Sequence, residues 1–240
     1  MIHLAEIAAG LFKDAPDNHT ATVKMLEQHL KSSPQLAAHR KWIVDNKYGF
    51  GEDAFHAVWD AVATTLPDGF SFLEVGVHRG QSLSAVDLAA TLQGKKCTVY
   101  GLSPFNGADG NYYEKRDNYD DDVLNLFSLF NDNRRPVLIR GYSTDTKAKE
   151  EVSLLAPFDV VYLDACHEFE DATHDINYYA PLVKVGGYFL SDDSATDLNL
   201  PDSYFKGFEG STKACNNYFN NNEKWVYVAN VVHLRIYHRV

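Results

Sequence analysis

The sequence predicts an α/β fold: a doubly wound, mostly parallel seven-stranded sheet with a helical N-terminal extension and a C-terminal antiparallel hairpin. Three observations carry this reading. From Phe70 onward, short runs rich in β-branched and aromatic residues alternate with helix-length segments, the pattern of strands joined by crossover helices. Before that point the apolar residues recur at helical spacing. At the C-terminus two apolar runs are almost contiguous, too close for a crossover and suited to a hairpin.

Taken in order, residues 1–66 form the helical extension. They hold amphipathic patterns through Val23, Met25, Leu26 and Leu30, through Leu36, Trp42 and Ile43, and through Phe55, Val58, Trp59 and Val62. Pro16, Pro34 and the turn at Gly49 and Gly51 interrupt them, with Asn18, Ser33 and Asp53 as helix caps or cap neighbours. This region is expected to cover the sheet or form a dimer surface; acceptor binding is the alternative. Residues 67–240 form the sheet domain. Its strands are read at 72–75, 98–102, 137–139, 160–163 and 188–190, then at 225–229 and 231–237 with a tight turn at Ala229 and Asn230. The polar stretches 117–122 and 216–222 read as solvated faces or loops. The segment 194–211 reads as a loop long enough to act as a lid.

The 240 residues are 45% hydrophobic and 23% charged, which suits one domain with a sizeable core. No apolar run approaches the roughly 18–20 residues that span a bilayer, and the N-terminus lacks the basic-then-apolar pattern of a secretory signal. A cytoplasmic protein without a membrane partner is therefore expected. Cys97, Cys166 and Cys215 form no C-x-x-C pair, which argues against a disulfide framework and against cysteine-held zinc. A net charge of −11 with scattered Lys and Arg repels a phosphate backbone, so nucleic acid is not an expected partner. Small neutral or cationic ligands and metal ions suit this balance better.

The segment 72–82 ends a strand, turns on Gly76 and Gly80, and enters a helix near Ser82. Glycine permits close backbone approach to a ligand, and a helix start adds free N–H groups. The spacing is not the G-x-G-x-x-G dinucleotide fingerprint, because His78 stands where the middle glycine belongs. Hydride transfer is correspondingly disfavoured.

Two strands end in acid: Asp164 follows the run 160–163, and Asp192 and Asp193 follow the run 188–190. A right-handed parallel crossover delivers both strand ends to one edge of the sheet, so three carboxylates share a rim with His167. Like charges gathered there raise one another's pKa unless a cation sits between them. An all-oxygen donor set suits Mg2+, Mn2+ or Ca2+, and one histidine without cysteine argues less for zinc. A single aspartate after a strand is often only a helix N-cap; three on one rim favour a metal.

Glu74 two residues before Gly76, the G-x-x-x-G turn, a strand ending V-Y-G-L-S-P-F, the later I-R-G-Y-S, and F-D-V-V-Y-L-D-A-C-H form an ordered set. That set resembles the class I S-adenosylmethionine-dependent methyltransferases, which have a Rossmann-like fold. It looks most like their metal-dependent macrolide-sugar O-methyltransferase branch, with catechol-type enzymes as more distant relatives. The resemblance covers residues 70–195 and the terminal hairpin. It implies that Glu74, Gly76 and Gly80, with Ser82 at the helix start, line the methionine part of S-adenosylmethionine. Ser103 stands where most relatives carry an acid for the ribose hydroxyls, and one hydroxyl cannot chelate both as a carboxylate can. Ser143 is implied near the adenine, with Tyr142 either a stacking partner or an ordinary buried aromatic. Asp164, Asp192 and Asp193 are implied to hold the metal, Mg2+ or else Mn2+ or Ca2+. His167, in D-x-x-H, is implied as the general base, because a neutral imidazole can take a proton from a hydroxyl that a metal has acidified.

The expected reaction is methyl transfer to a hydroxyl of a small molecule or sugar. A metal-dependent hydroxylase-like or hydrolase-like enzyme on the same rim is one alternative; a catalytically silent nucleoside-binding module, suggested by Ser103, is another. Cys166 is set aside as a nucleophile, since no second histidine is placed as its base and a free cysteine is commonly a small buried residue. In the helix that follows, Phe169, Ala172, Ile176 and Tyr179 form the apolar face and leave Glu170, Asp171, His174 and Asp175 to solvent. A homo-oligomer whose N-terminal helices cover neighbouring sites is expected.

Overall fold

The computed structural model describes residues 2–11, 13–106 and 118–240; Asp117 of the first polar stretch lies outside them. The N-terminal region folds as α1 (Leu4–Gly10), α2 (Pro16–Lys31), α3 (Pro34–Asp45) and α4 (Ala54–Thr65). Pro16 and Pro34 open their helices, where the missing N–H is no loss. Ser33 and Asp53 occupy N-cap positions without capping through their side chains. Asp53 instead accepts from Arg40 Nε at 2.8 Å, and Asn18 lies inside α2 with its amide donating to the Lys13 carbonyl at 2.8 Å. Helix α4 is buried from Ala54 to Thr64 because it lies between α2 and the sheet. Its Trp59 packs edge-on against Phe72 and Tyr162. Truncating that ring to alanine would cost roughly 3–5 kcal/mol.

Among the described residues the sheet has seven strands: β1 (Phe70–Val75), β2 (Cys97–Ser103), β3 (Val137–Arg140), β4 (Phe158–Leu163), β5 (Val183–Ser191), β6 (Trp225–Val231) and β7 (Leu234–Arg239). The crossing helices are α5 (Gln81–Leu92), α6 (Tyr119–Phe130), α7 (Thr146–Leu155), α8 (Phe169–Tyr179) and α9 (Glu209–Phe219). Strand order is β3-β2-β1-β4-β5-β7-β6, with the first five parallel and β7 antiparallel to both neighbours. This is the Rossmann-like sheet and hairpin that the sequence predicts. Side chains alternate between two cores: Phe70, Phe72 and Val160 face α4 and α5, while Leu73, Val75, Val161 and Leu163 face α7, α8 and α9.

Because β1 lies between β2 and β4, the chain reverses its winding direction there and leaves a crevice beyond the strand ends. Backbone bonds hold those ends level. Gly76 N–H donates to Leu102, Asp164 N–H to Val75 and Asp192 N–H to Leu163, each at 2.9 Å. The residues immediately after β1, β4 and β5 therefore share one rim.

Three local expectations are corrected. The hairpin turns at Val232 and His233, not at Ala229 and Asn230, which lie within β6 opposite Ile236 and Arg235. Burial decides this register, since Ala229, Val231, Leu234 and Ile236 all enter the core. Strand β5 begins at Val183, ahead of Gly186 and Gly187, and its register against β4 shifts between Phe158 and Val160. Gly187 is needed there because a Cβ would collide with the Asp159 carbonyl. Finally, α9 occupies residues read as loop. Its buried side is Ala214, Cys215 and Phe219, and the run of asparagines conceals that short apolar face. Among the described residues no helix is long and apolar enough to cross a membrane.

Candidate active site

A cleft of about 1150 Å3 opens over the shared rim. Glu74, Gly76, Gly80 and Ser82 line it from β1 and the start of α5, and Ser103 from the end of β2. Tyr142 and Ser143 line it from beyond β3, and Asp164, His167, Asp192 and Asp193 from beyond β4 and β5. The structure thus brings all the sequence-predicted site residues to one cavity. Two further walls come from segment 48–52 of the N-terminal extension and from Phe205 and Phe208 of the β5–α9 connection with Glu209 and Gly210 at the start of α9.

On one side the cleft is built from close backbone approach. Gly76 has φ 104°, and a Cβ would strike the Asp164 carbonyl across the β1–β4 boundary. Gly80 has φ 84° and opens α5, with Val123 against the space its side chain would fill. Ser82 is buried in the first turn of that helix. Beneath them Glu74 is 4% exposed, and its Oε2 has no hydrogen-bond partner among the described residues. Burial pushes its pKa up to about 8; the Leu83 N–H opposes this and the Asp192 charge adds to it. A buried carboxyl with a spare acceptor beside a cleft is complementary to an amine cation.

Ser103 is buried and, among the described residues, accepts a long 3.4 Å contact from Phe105 N–H. Tyr142 is 47% exposed at the cleft edge, which removes its reading as an ordinary buried aromatic. Its N–H donates to Asp145 Oδ2 at 2.8 Å, and the Ser143 carbonyl accepts from Tyr179 at 2.8 Å, so this loop is held in place. The Ser143 side chain bonds Asp175. Asp175 is fully buried, a correction to its assignment to solvent.

The other side is acidic. The Asp164 carboxyl is raised well above the usual range, by burial first and then by Asp192, Asp193 and Glu74, with the Tyr162 hydroxyl opposing. Asp193 is pushed up to about 7 by burial and by Asp192, while His233 lowers it. Ligand atoms of Asp164, His167 and Asp193 lie within 4.8 Å of one another, as do those of Asp192, Asp193 and His233. Carboxyls raised by burial and then by mutual repulsion, with donor atoms at this spacing, fit a divalent cation. Asp193 has φ 50°, a conformation aspartate tolerates better than most residues. The Phe208 N–H holds its carbonyl at 2.8 Å, and Gly207 leaves no Cβ to strike the Asp193 backbone.

His167 Nε2 lies 3.2 Å from Asp193 Oδ2, and its ring stacks on Phe208. Burial lowers its pKa against the raising effect of Asp192, so the imidazole is neutral near pH 7. Cys166 is exposed, not buried; partial desolvation of its thiol and the nearby Asp171 carboxylate raise its pKa, which disfavours the thiolate that a nucleophile needs. Its Sγ donates to Asp171 Oδ2 at 3.1 Å. His174 lies between Lys149 and Asp175, off the cleft.

Two residues escaped the sequence reading. Tyr162 donates its hydroxyl to Asp192 Oδ2 at 2.6 Å and lies 3.2 Å from Asp164 Oδ2. Its position two before Asp164 puts both on one strand face, a period-two signal that was present. His233 Nε2 sits 3.3 Å from Asp192 and 3.4 Å from Asp193. No sequence signal places it, because the turn that carries it lies three residues beyond the Ala229–Asn230 turn that the sequence suggests.

The Methyltransferase domain family matches residues 73–194. The uncharacterized protein R132 of Acanthamoeba polyphaga mimivirus is 26% identical over 164 residues, covering 66% of this chain and 68% of that protein. The crystal structure of a putative caffeoyl-CoA O-methyltransferase from Staphylococcus aureus superposes with a TM-score of 0.62 at 14% identity, covering 93% of this chain and 99% of the other. The MycE methyltransferase of the mycinamycin biosynthetic pathway, in complex with Mg and SAH, superposes with a TM-score of 0.54 at 16% identity, covering 86% of this chain and 55% of MycE. At such identities the structural likenesses establish the fold.

Proposed function

The chain belongs to the Methyltransferase domain family, and from that premise we propose that it is an S-adenosylmethionine-dependent O-methyltransferase acting on a hydroxyl of a small molecule or sugar with a divalent metal. The observation that carries this reading is the single cleft that Glu74 and the glycine turn share with Asp164, Asp192, Asp193 and His167. The orphaned Glu74 oxygen suits the ammonium of the cofactor's methionine, and the Gly76 turn leaves room for a ligand against the backbone. Ser103 offers a single hydroxyl toward the ribose. Tyr142, exposed at the edge, offers a face for the adenine. When bound, the cofactor supplies an electrophilic sulfonium methyl group and its own leaving group. MycE, a structural neighbour, was crystallised with Mg and SAH, which supports the pairing of a divalent metal with the cofactor here.

Asp164, Asp192 and Asp193 would hold the metal, which supplies a Lewis acid that lowers the pKa of an acceptor hydroxyl. The remaining work belongs to side chains. Tyr162 fixes Asp192 through its hydroxyl. His167 accepts the hydroxyl proton at Nε2, where Asp193 Oδ2 at 3.2 Å stabilises the imidazolium. Phe50, Phe55, Phe205 and Phe208 give the cleft an apolar wall against which an acceptor would rest, and fixed orientation supplies most of the acceleration. The test is S-adenosylhomocysteine formation from S-adenosylmethionine with a panel of polyhydroxylated and aromatic acceptors. Turnover abolished by EDTA and restored by a divalent ion is expected; EDTA-indifferent turnover would remove the metal from the reading.

A further inference from the structure

We propose that His233, in the β6–β7 turn, is a nitrogen ligand to the metal on the acidic rim, so that the site selects a transition ion such as Mn2+, Fe2+, Co2+ or Zn2+ over Mg2+. The inference rests on the metal-assisted reading above and assigns to it a donor from an element outside the strand-end acids. His233 Nε2 stands 3.3 Å from Asp192 Oδ1 and 3.4 Å from Asp193 Oδ1. Those separations exceed the roughly 2.7–2.9 Å of a charge-assisted hydrogen bond. They approach the spacing of about 3 Å between adjacent ligands of a six-coordinate ion with bonds of about 2.1 Å.

The imidazole is also built into position. It is 5% exposed, with Phe55 of α4 edge-on at 5.0 Å and Phe205 edge-on at 5.2 Å. Its backbone carbonyl accepts from Ser194 N–H at 3.0 Å, which ties the turn to the end of β5. A ring so confined loses little freedom on binding an ion. Donor chemistry then decides the metal: imidazole suits Fe, Co and Zn, and Mn2+, though at home among oxygen donors, accepts a nitrogen more readily than Mg2+ and Ca2+ do. With His233 supplying nitrogen, His167 is left to carry the proton.

The experiment is pulsed electron paramagnetic resonance on the metal-stripped full chain reloaded with one equivalent of Mn2+, reading 14N coupling at the ion. Coupling is expected in the wild type and in His167→Ala, and its loss in His233→Ala. Competition should show Mn2+ preferred over Mg2+ by at least about tenfold in the wild type, with that preference falling about tenfold in His233→Ala. His167→Ala removes the other nearby imidazole, so coupling that persists there assigns the nitrogen even if the His233 variant does not fold. No 14N coupling in the wild type or in His167→Ala, or coupling unchanged in folded His233→Ala, overturns the inference. Calorimetry with S-adenosylhomocysteine on the same wild-type sample separates the two readings. Cofactor binding without nitrogen coupling removes only His233 as a ligand; nitrogen coupling without cofactor binding removes only the methyl-transfer reading.

Discussion

The His167 imidazole lies flat on the Phe208 ring, with centroids 4.5 Å apart and planes 8° from parallel. Phe208 ends the β5–α9 connection and donates its own N–H to the Asp193 carbonyl. One residue therefore orients the proposed base and anchors the aspartate beside it. Phe208→Ala should lower kcat about tenfold by freeing the ring, with cofactor affinity unchanged. An unaltered kcat would show that the stack does not position the base.

Tyr162 reaches from β4 to Asp192 with a 2.6 Å hydrogen bond in the core of the cleft. Groups that orient ligating carboxylates govern metal affinity by about 10–100-fold. Tyr162→Phe should weaken divalent-ion binding within that range and leave S-adenosylhomocysteine binding intact, both by calorimetry. Equal metal affinity would confine the tyrosine to a packing role.

Glu74, held near a pKa of about 8 by burial, is mostly protonated at pH 7 in the empty cleft. An ammonium ligand favours its ionised form, so binding expels a proton. S-adenosylhomocysteine affinity should rise about tenfold per pH unit between pH 6 and 8 and then level off. Titrations in buffers of different ionisation enthalpy should show net proton release at pH 7; proton uptake would place the amine elsewhere.

A buried chain joins the helical extension to the sheet domain. Ser84 Oγ donates to Asn131 at 2.6 Å, so it accepts from His39 Nε2 at 3.0 Å, and His39 Nδ1 then accepts from His56 Nε2 at 2.9 Å. This order requires a neutral His39, whose Nδ1 accepts, while His56 donates from Nε2. Burial, with a smaller push from Arg40, takes His39 down to about 3, and burial takes His56 well below its usual value. Below pH 6.5 the unfolded chain binds protons that the native chain refuses, so this contribution is complete above that value and lost as pH falls. The His39 imidazole should cost about 2 kcal/mol of stability between pH 7.5 and 5. In urea unfolding of metal-free protein, His39→Gln should lose about 2 kcal/mol less than the wild type over that interval. Identical pH slopes would contradict the neutral chain.

How much of this was legible depends on the range of the signal. Glu74, Asp164 and Asp192 could be read because each lies at the end of an apolar run, and parallel topology alone brings strand ends together. Tyr142 was open between two environments, since sequence does not say which side of a loop meets solvent. Asp175 misled because its partner Ser143 comes from another element. His233 required the hairpin register, which burial of Ala229 and Val231 fixes only after β7 has docked on β5. The asparagine-rich stretch concealed α9 because its one apolar side is earned by packing against α8, not by propensity.

The central claim is that Glu74 and the acidic rim serve one cofactor-binding cleft. Calorimetric titration of the wild-type chain with S-adenosylhomocysteine tests it most directly. The account predicts one saturable site per chain, retained in EDTA and weakened at least about tenfold by Glu74→Gln. No binding at millimolar ligand would contradict it.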